Sequence, residues 1–336
     1  MTSTTAQSAP FGTLLAEVMA IAWYREGRWS PHELRAVGPI ELHPAAHVLH
    51  YGSECFEGFK AYKWTDGSVR VFRMERHIER LRQSARGLVV PEPEAAMVAQ
   101  MVCEVIDRSR AVVPEAPGAL YLRPVLFGTM ANIGAASTPT SDACLVVLAS
   151  PVWDYFAGGA KPLRIYVEEH ATRSASHLGV VKTGGNYAAA LGPTLAARRR
   201  HHVDQVLFCP HGEVQETGAA NFLLFKPGRI LTRRLDSTFL HGVTRDSLLR
   251  LAPELGYAVE ERVFTVAEML TWVEEGEAAL SGTAAVLSGV GTLIRGEREY
   301  RVGSGGIGPH TQKLRAALLA VQQGTTPDRH GWLTTV

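Results

Sequence analysis

The sequence predicts a two-domain protein of the α/β (α+β) class. At 336 residues the chain exceeds what a single core usually holds. Short apolar runs bounded by turn residues recur in both halves, interleaved with amphipathic runs of helical period. Near the middle, "WDYFAGGAKP" sets paired glycines and a proline between two strand-like runs, a linker signal. The expected division is a smaller N-terminal α+β domain over 1–152, an interdomain loop over 153–162 and a larger C-terminal mixed-sheet domain over 163–336.

Along the first half, "MAIAWY", "HVLHYGSECFEGFKAYKW" and "VRVFRM" read as antiparallel strands broken by turns such as Asp66-Gly67. The period then changes: Ile78, Leu81, Ala85 and Leu88 recur at helical spacing in "RMERHIERLRQSARGL". A second helix follows Pro93, a residue suited to a helix start. "ALYLRPVLFG" and "ACLVVLASPV" return to strands. Beyond the linker, "LRIYVEE", "QVLFC", "NFLLFK", "RILTRR" and "AALSGT" read as strands. Helices are expected at "AAALGPTLAARRR", "VTRDSLLRLAPELG", "VAEMLTWVEEG" and "QKLRAALLAVQQG".

Composition narrows the function classes. A net charge of +1 with dispersed basic residues lacks the footprint that phosphate-backbone binding needs, so no nucleic-acid partner is expected. The start "MTSTTAQSAPFG" has no basic-then-apolar leader, and no apolar run reaches membrane-span length, so a cytoplasmic protein is expected. Cys55, Cys103, Cys144 and Cys209 form no C-x-x-C pair and no metal spacing, and read as reduced, mostly packed thiols.

Several stretches carry candidate chemistry. In "VVKTGGNYAAAL", Lys182 follows two valines in what reads as an apolar strand; lost hydration disfavours its ammonium and makes a free amine available to condense with a carbonyl. Read alone, it is a lysine snorkelling from a strand end. Gly184 and Gly185 would let the backbone approach a flat ligand. In "GEVQETGAANFLLF", Glu216 and Asn221 flank a turn of small residues, where a carboxylate can meet a ring nitrogen and keep it protonated. A plain turn carboxylate is the alternative. "LHGVTRDSLLRL" opens a helix with exposed amides and the Thr244 hydroxyl, an anion site or an ordinary cap. Thr283, at a strand end in "LSGTAAVLSG", is a second possible phosphate contact. Arg80 and Arg123 can bind phosphate or carboxylate bidentately, with surface ion pairing the alternative for Arg80. "GSGGIG", Gly303 to Gly308, matches G-x-G-x-x-G but follows a charged strand with too little chain left for a dinucleotide-binding sheet. "RRRHH", Arg198 to His202, ends a helix, where cations suit the dipole.

Together these stretches resemble the class IV, fold-type IV pyridoxal-phosphate aminotransferases (D-amino acid aminotransferase-like fold), and among them the branched-chain amino acid aminotransferases. The resemblance runs from "FGTLLAEVM" to "PDRHGWLTTV". "LHYGSECFEGFKAY", "HIERLRQSA", "YLRPVLFG", "KTGGNYAAAL", "QETGAANFLLF", "HGVTRDSLL" and "SGTAA" carry it, in family order. It implies that Lys182 is the Schiff-base lysine and proton shuttle, that Tyr187 bonds the phenolic oxygen of pyridoxal 5'-phosphate, and that Glu216 partners its ring nitrogen, with Asn221 among the cofactor contacts. Arg80, Val243, Thr244 and Thr283 would form the phosphate cup. Tyr121, with the amides around Ala284 and Ala285, would clamp the substrate α-carboxylate. Arg123, Tyr51 and Tyr155 would receive the distal carboxylate of glutamate, and Phe56 would line the side-chain pocket. The family's two domains meet over the cofactor and a homodimer completes each site.

The resemblance implies transamination of L-leucine, L-isoleucine or L-valine with 2-oxoglutarate. Departures bear on substrate: Leu15, Ala16, Glu17 and Val18 replace a usual aromatic-led stretch, and Trp153 and Asp154 stand where small residues are usual. The stretch before Lys182 lacks the usual proline-and-glycine-rich approach. Ala285 and Ser288 replace the C-x-x-C of mammalian members, so no thiol switch is expected. The alternatives are a transaminase of another or specialised amino acid, D-amino acids included, an aminodeoxychorismate lyase-like enzyme that releases pyruvate, and a binding protein without turnover.

Overall fold

The computed structural model describes residues 9–153 and 161–336. Two compact units form within them. One comprises the described residues of Met1–Tyr155 with Val181–Gly184 and Val321–Val336; the other comprises those of Phe156–Val180 with Gly185–Ala320. The Lys182 segment and the closing stretch therefore belong to the first unit, whereas the expected division left both in the second. Residues 154–160 of the expected interdomain loop lie outside the described residues.

The first unit is built from β1 (Val18–Arg25), β2 (Arg28–Trp29), β3 (Glu33–Ala36), α1 (His47–Tyr51), β4 (Glu54–Phe56), β5 (Phe59–Lys63), β6 (Val69–Phe72), α2 (Met74–Gly87), α3 (Ala95–Arg108), β7 (Ala119–Gly128) and β8 (Ala143–Val152). β17 (Leu333–Thr335) joins them from the end of the chain. The nine-stranded sheet is antiparallel, ordered β17-β6-β5-β7-β8-β1-β2, with β3 on β1 and β4 on β7. Strand alternation separates its faces: Ala20 and Ala22 join the main cluster with Leu145 and Val147, while Met19 and Ile21 join Cys144 and Val146 in another. The helical repeat Ile78, Leu81 and Ala85 is buried in the main cluster beside Val98, Met101, Val102 and Val105 of α3.

Part of the run "HVLHYGSECFEGFKAYKW" departs from the expected strand. His47–Tyr51 is a short helix, closed by Gly52 in the left-handed conformation (φ 60°), whose N–H donates to the Val48 carbonyl at 3.1 Å.

Just beyond α2, Val89 is 61% exposed and holds φ 52°. The left-handed region costs a side-chain-bearing residue about 1–2 kcal/mol, and a β-branched one gains nothing there. Val89→Asn is expected to stabilise the protein by about 1 kcal/mol, raising Tm by about 1–2 °C. A lowered Tm would show that the valine side chain outweighs its backbone strain.

The second unit contains β9 (Leu163–Glu168), nearly all of α4 (Gly184–His201), β10 (Gln205–Phe208), β11 (Asn221–Lys226), β12 (Arg229–Thr232), α5 (Val243–Leu251), β13 (Ala258–Glu261), α6 (Val266–Val273), β14 (Glu277–Gly282), β15 (Val286–Arg295), β16 (Arg298–Arg301) and most of α7 (Pro309–Gln322). Its mixed sheet runs β10-β9-β15-β14-β11-β12-β13, with β16 on β15. β15, interior to this sheet, is not among the expected strands, and it carries Gly289 and Gly291. Their lack of a side chain is what the packing requires: a Cβ on Gly291 would lie 2.4 Å from the Gly305 carbonyl oxygen. The glycine-rich "GSGGIG" segment is thus a structural turn laid against β15. At its end, a Cβ on Gly308 would strike the Glu277 carboxyl, which accepts the His310 and Thr311 N–H groups opening α7. Among the described residues no helix is long and apolar enough to cross a membrane.

Cys55, Cys144 and Cys209 are buried, Cys103 is partly so, and none forms a disulfide. Burial pushes the Cys144 thiol up to about 12 and raises those of Cys55 and Cys209 further.

Candidate active site

Lys182 does not lie in a strand. It occupies a short irregular link ahead of α4, and Gly184 and Gly185 begin that helix instead of extending a strand. Backbone bonds nonetheless fix it: the Phe56 N–H donates to the Lys182 carbonyl at 3.0 Å, and the Lys182 N–H donates to Ser84 Oγ at 3.0 Å. Gly87 of α2 leaves room for the approach, since a Cβ there would lie 2.8 Å from Val181 Cγ2. The Gly184 N–H donates to Glu54 Oε2 at 2.8 Å, satisfying one of the amides that a helix start leaves without an internal partner. Burial raises the Glu54 carboxyl above the usual range, against the opposing pull of that amide and of the Arg123 and Lys182 charges.

The Lys182 side chain is 9% exposed, and its Nζ lies 4.5 Å from the Phe56 ring centroid. Arg123 Cζ lies 4.6 Å from the same centroid. One aromatic ring therefore adjoins both the amine and the guanidinium. Arg123 Nη2 donates to the Tyr121 hydroxyl at 2.9 Å, while its Nε is buried with no hydrogen-bond partner among the described residues. The hydroxyl end of Tyr121 packs closely on residue 58 because that residue is glycine; a Cβ there would sit 1.9 Å from the Tyr121 hydroxyl oxygen. The Tyr51 hydroxyl donates to the Ile133 carbonyl. Tyr155 lies outside the described residues.

Arg80 is not a surface cation. Its Nε and Nη2 donate to Glu57 Oε1 and Oε2 at 2.6 and 2.9 Å, and Glu57 is 0% exposed. His77 Nδ1 stands 2.7 Å from Glu57 Oε2, and the imidazole stacks on Phe59 at 4.9 Å. Burial alone would raise the Glu57 carboxyl, but Arg80 and His77 outweigh it and hold it well below the ordinary carboxylate range. Burial also holds His77 below its usual value despite the pull of Glu57, so the neutral imidazole donates its Nδ1 proton to the carboxylate. The Glu57 fork fixes the orientation of the Arg80 guanidinium.

In the second unit, Glu216 and Asn221 form an isolated bridge around a turn closed by the Thr217 N–H to the Ala220 carbonyl, 3.0 Å. Asn221 Nδ2 donates to Glu216 Oε2 at 2.9 Å, and the Leu240 N–H donates to Oε1 at 2.9 Å. Arg173 Nη1 approaches Oε1 at 2.7 Å. These donors favour an ionised Glu216. Val243 and Thr244 open α5 behind Gly242, with no side chain capping the helix. A Cβ on Gly242 would lie 2.0 Å from Asn221 Oδ1, so the helix start is set directly against Asn221. Tyr187 lies in the first turn region of α4, its ring 5.8 Å from Arg173 Cζ. Thr283, Ala284 and Ala285 form the turn between β14 and β15, followed by Val286 at φ 64°, a strained conformation for a β-branched residue. Ser281, paired in register with Asn221 and 2% exposed, has an Oγ without a hydrogen-bond partner among the described residues.

The structure thus groups Lys182, Phe56, Tyr121 and Arg123 in one unit with the Arg80 cluster, and Glu216 with Asn221 and the α5 start in the other. Sequence reasoning missed Glu54, Glu57, His77, Arg173 and Ser281. A charged residue inside the apolar "FEGFKAY" run was the available signal for Glu57; Arg173, in the polar "HATRSASH", offered none.

Comparison with known proteins follows the same lines. The family described as "Amino-transferase class IV" matches residues 54–292. A branched-chain-amino-acid aminotransferase of Mycobacterium tuberculosis is 39% identical over 96% of this chain and 91% of its own length. The crystal structure of the Escherichia coli branched-chain amino acid aminotransferase superposes with a TM-score of 0.79 at 27% identity, covering 95% of this chain and 98% of that one. A T.th. branched-chain amino acid aminotransferase complexed with N-(5'-phosphopyridoxyl)-L-glutamate gives a TM-score of 0.74 at 26% identity, covering 93% and 97%.

Proposed function

Because this chain belongs to the class IV aminotransferases, pyridoxal-phosphate enzymes of fold-type IV, we propose that it moves the amino group of L-leucine, L-isoleucine or L-valine to 2-oxoglutarate, yielding the branched 2-oxo acid and L-glutamate. The observation that carries the substrate reading is the Phe56 ring, adjoining Lys182 Nζ at 4.5 Å and Arg123 Cζ at 4.6 Å. An aliphatic side chain can lie on that ring, and the longer side chain of glutamate can reach past it to the guanidinium. One pocket so built accepts both partners of the exchange.

Bound pyridoxal phosphate supplies the electron sink for the carbanion formed at the substrate Cα. The residues present fit it: Glu216 is a buried carboxylate held by three groups, suited to a protonated ring nitrogen, and Ser281 Oγ is an orphaned buried hydroxyl in register with Asn221. Lys182 would hold the cofactor through its amine, and the same amine would serve as the base that carries the Cα proton across the substrate nitrogen, the 1,3-shift of transamination. Glu216, with Asn221 beside it, holds the proton at the ring nitrogen, and Tyr187 donates to the phenolic oxygen. Arg80, Thr283 and the Val243 and Thr244 amides hold the phosphate; the opening turn of α5 suits an anion. Tyr121 and the amides around Ala284 and Ala285 hold the α-carboxylate, with Tyr51, Tyr155 and Arg123 toward the distal one.

The same reading makes the protein a cytoplasmic homodimer acting on small amino and 2-oxo acids, with metal and nucleic acid playing no part. The test is glutamate formation from L-leucine and 2-oxoglutarate. Turnover confined to D-amino acids, or pyruvate release without an acceptor, would replace the reading with its transaminase or lyase alternative. Arg123→Ala is expected to cost far more kcat/KM with glutamate than with leucine. An equal loss with both would remove Arg123 from the distal carboxylate.

A further inference from the structure

Arg173 is the largest of the fully buried side chains among the described residues, 1% exposed, on the segment between β9 and α4. Burying a guanidinium costs several kcal/mol that an apolar side chain would not, so its place needs a reason beyond packing. Three contacts define that place. Its Nη1 lies 2.7 Å from Glu216 Oε1, a charge-to-charge contact without hydrogen-bond alignment. Its Nε donates to the Gly218 carbonyl at 3.4 Å, which anchors it to the turn carrying Glu216. Its Cζ lies 5.8 Å from the Tyr187 ring centroid, within cation–π range.

We propose that Arg173 is a positioning residue that keeps Glu216 a carboxylate and seats the Tyr187 ring. A single side chain then holds both groups to which the transamination reading assigns the pyridine nitrogen and the phenolic oxygen, and the inference rests on that reading. A carboxylate beside a fixed cation is a weaker base, so a proton shared with the ring nitrogen stays on the nitrogen, where it strengthens the electron sink. Without the cation, the buried carboxylate takes the proton and the ring loses its charge. Asn221 and the Leu240 amide orient Glu216 but bring no charge to it.

The experiment compares wild type with Arg173→Met, which keeps length and apolar bulk but drops the charge, and Arg173→Lys, which restores the charge. Four quantities are measured: kcat and KM for L-leucine, the pH titration of the bound cofactor's visible absorption, pyridoxal-phosphate affinity of the apoprotein, and apoprotein Tm. For Arg173→Met, kcat is expected to fall about tenfold or more, since an opposite charge at this range shifts a titration by about 1–3 pH units. KM should change little, the absorption titration should move, and the apoprotein should remain folded. Arg173→Lys is expected to restore the wild-type titration and much of kcat. If Arg173→Met does not fold, Arg173→Gln carries the same expectations. An uncharged variant with wild-type kcat and an unmoved titration overturns the proposal. So does a charge-restored variant as impaired as the uncharged one, which would leave Arg173 a structural role only. A wild-type protein that binds no cofactor overturns the transamination reading and this inference with it, whereas a normal wild type beside an unaltered variant overturns the inference alone.

Discussion

Lys182→Ala is expected to abolish transamination, lowering turnover by about 10⁴-fold or more, while the fold stays intact. The two halves of that expectation have separate causes. The contacts that fix this link are made by backbone, from the Phe56 N–H to the Lys182 carbonyl and from the Lys182 N–H to Ser84 Oγ, and alanine keeps both. The side chain contributes a contact with the Phe56 ring, worth about 0.5–2 kcal/mol. Apoprotein Tm should therefore shift by only a few degrees. In the proposed mechanism activity has no such substitute, because both attachment of the cofactor and movement of the proton are assigned to the amine. Single-turnover glutamate formation checks it; normal turnover would refute the lysine assignment.

Glu57→Ala is expected to have the largest effect on stability, about 3–5 kcal/mol in urea unfolding of the apoprotein. Removing the carboxylate leaves Arg80 buried without its fork and His77 without its acceptor. The loss should carry over to pyridoxal-phosphate affinity, since the carboxylate fork that orients Arg80 is then gone. Glu57→Gln keeps the shape but not the charge and should fall between alanine and wild type. The cluster also sets an acid dependence. His77 is depressed in the fold, so stability is present above its unfolded value, near 6.5, and declines as pH falls below it. Glu57 is depressed too, so its contribution is present above about 4.5 and is lost as pH falls further. Because Glu57 is the partner that raises His77, the Glu57→Ala protein, with its imidazole depressed further, should lose more stability than wild type between pH 7 and about pH 4.5, above the range in which Glu57 itself titrates. Equal losses would show that this cluster does not control the acid limb.

How much was legible follows from where each signal lives. The α2 helix was readable because Ile78, Leu81 and Ala85 repeat at helical period and do face the core. β7 and β8 were readable as long apolar runs. β15 was not, because the glycines that let Gly305 approach it look locally like turns. β17, three residues long, carries no periodicity, and only its pairing with β6 makes it a strand. The motif around Lys182 was visible while its conformation was misread: two valines suggested a strand, but Gly184 starts a helix against Glu54. The residues that hold the candidate groups were hidden for a common reason. Glu57 meets Arg80, and Arg173 meets Glu216, across long stretches of chain, and no local pattern records such pairing.

The most direct test of the central claim is the visible absorption spectrum of the purified protein before and after L-leucine is added with no 2-oxo acid present. The account predicts a yellow protein whose long-wavelength band gives way to that of the pyridoxamine phosphate form. A yellow protein that L-leucine leaves unchanged would contradict the branched-chain assignment, and a protein that binds no pyridoxal phosphate would contradict the account as a whole.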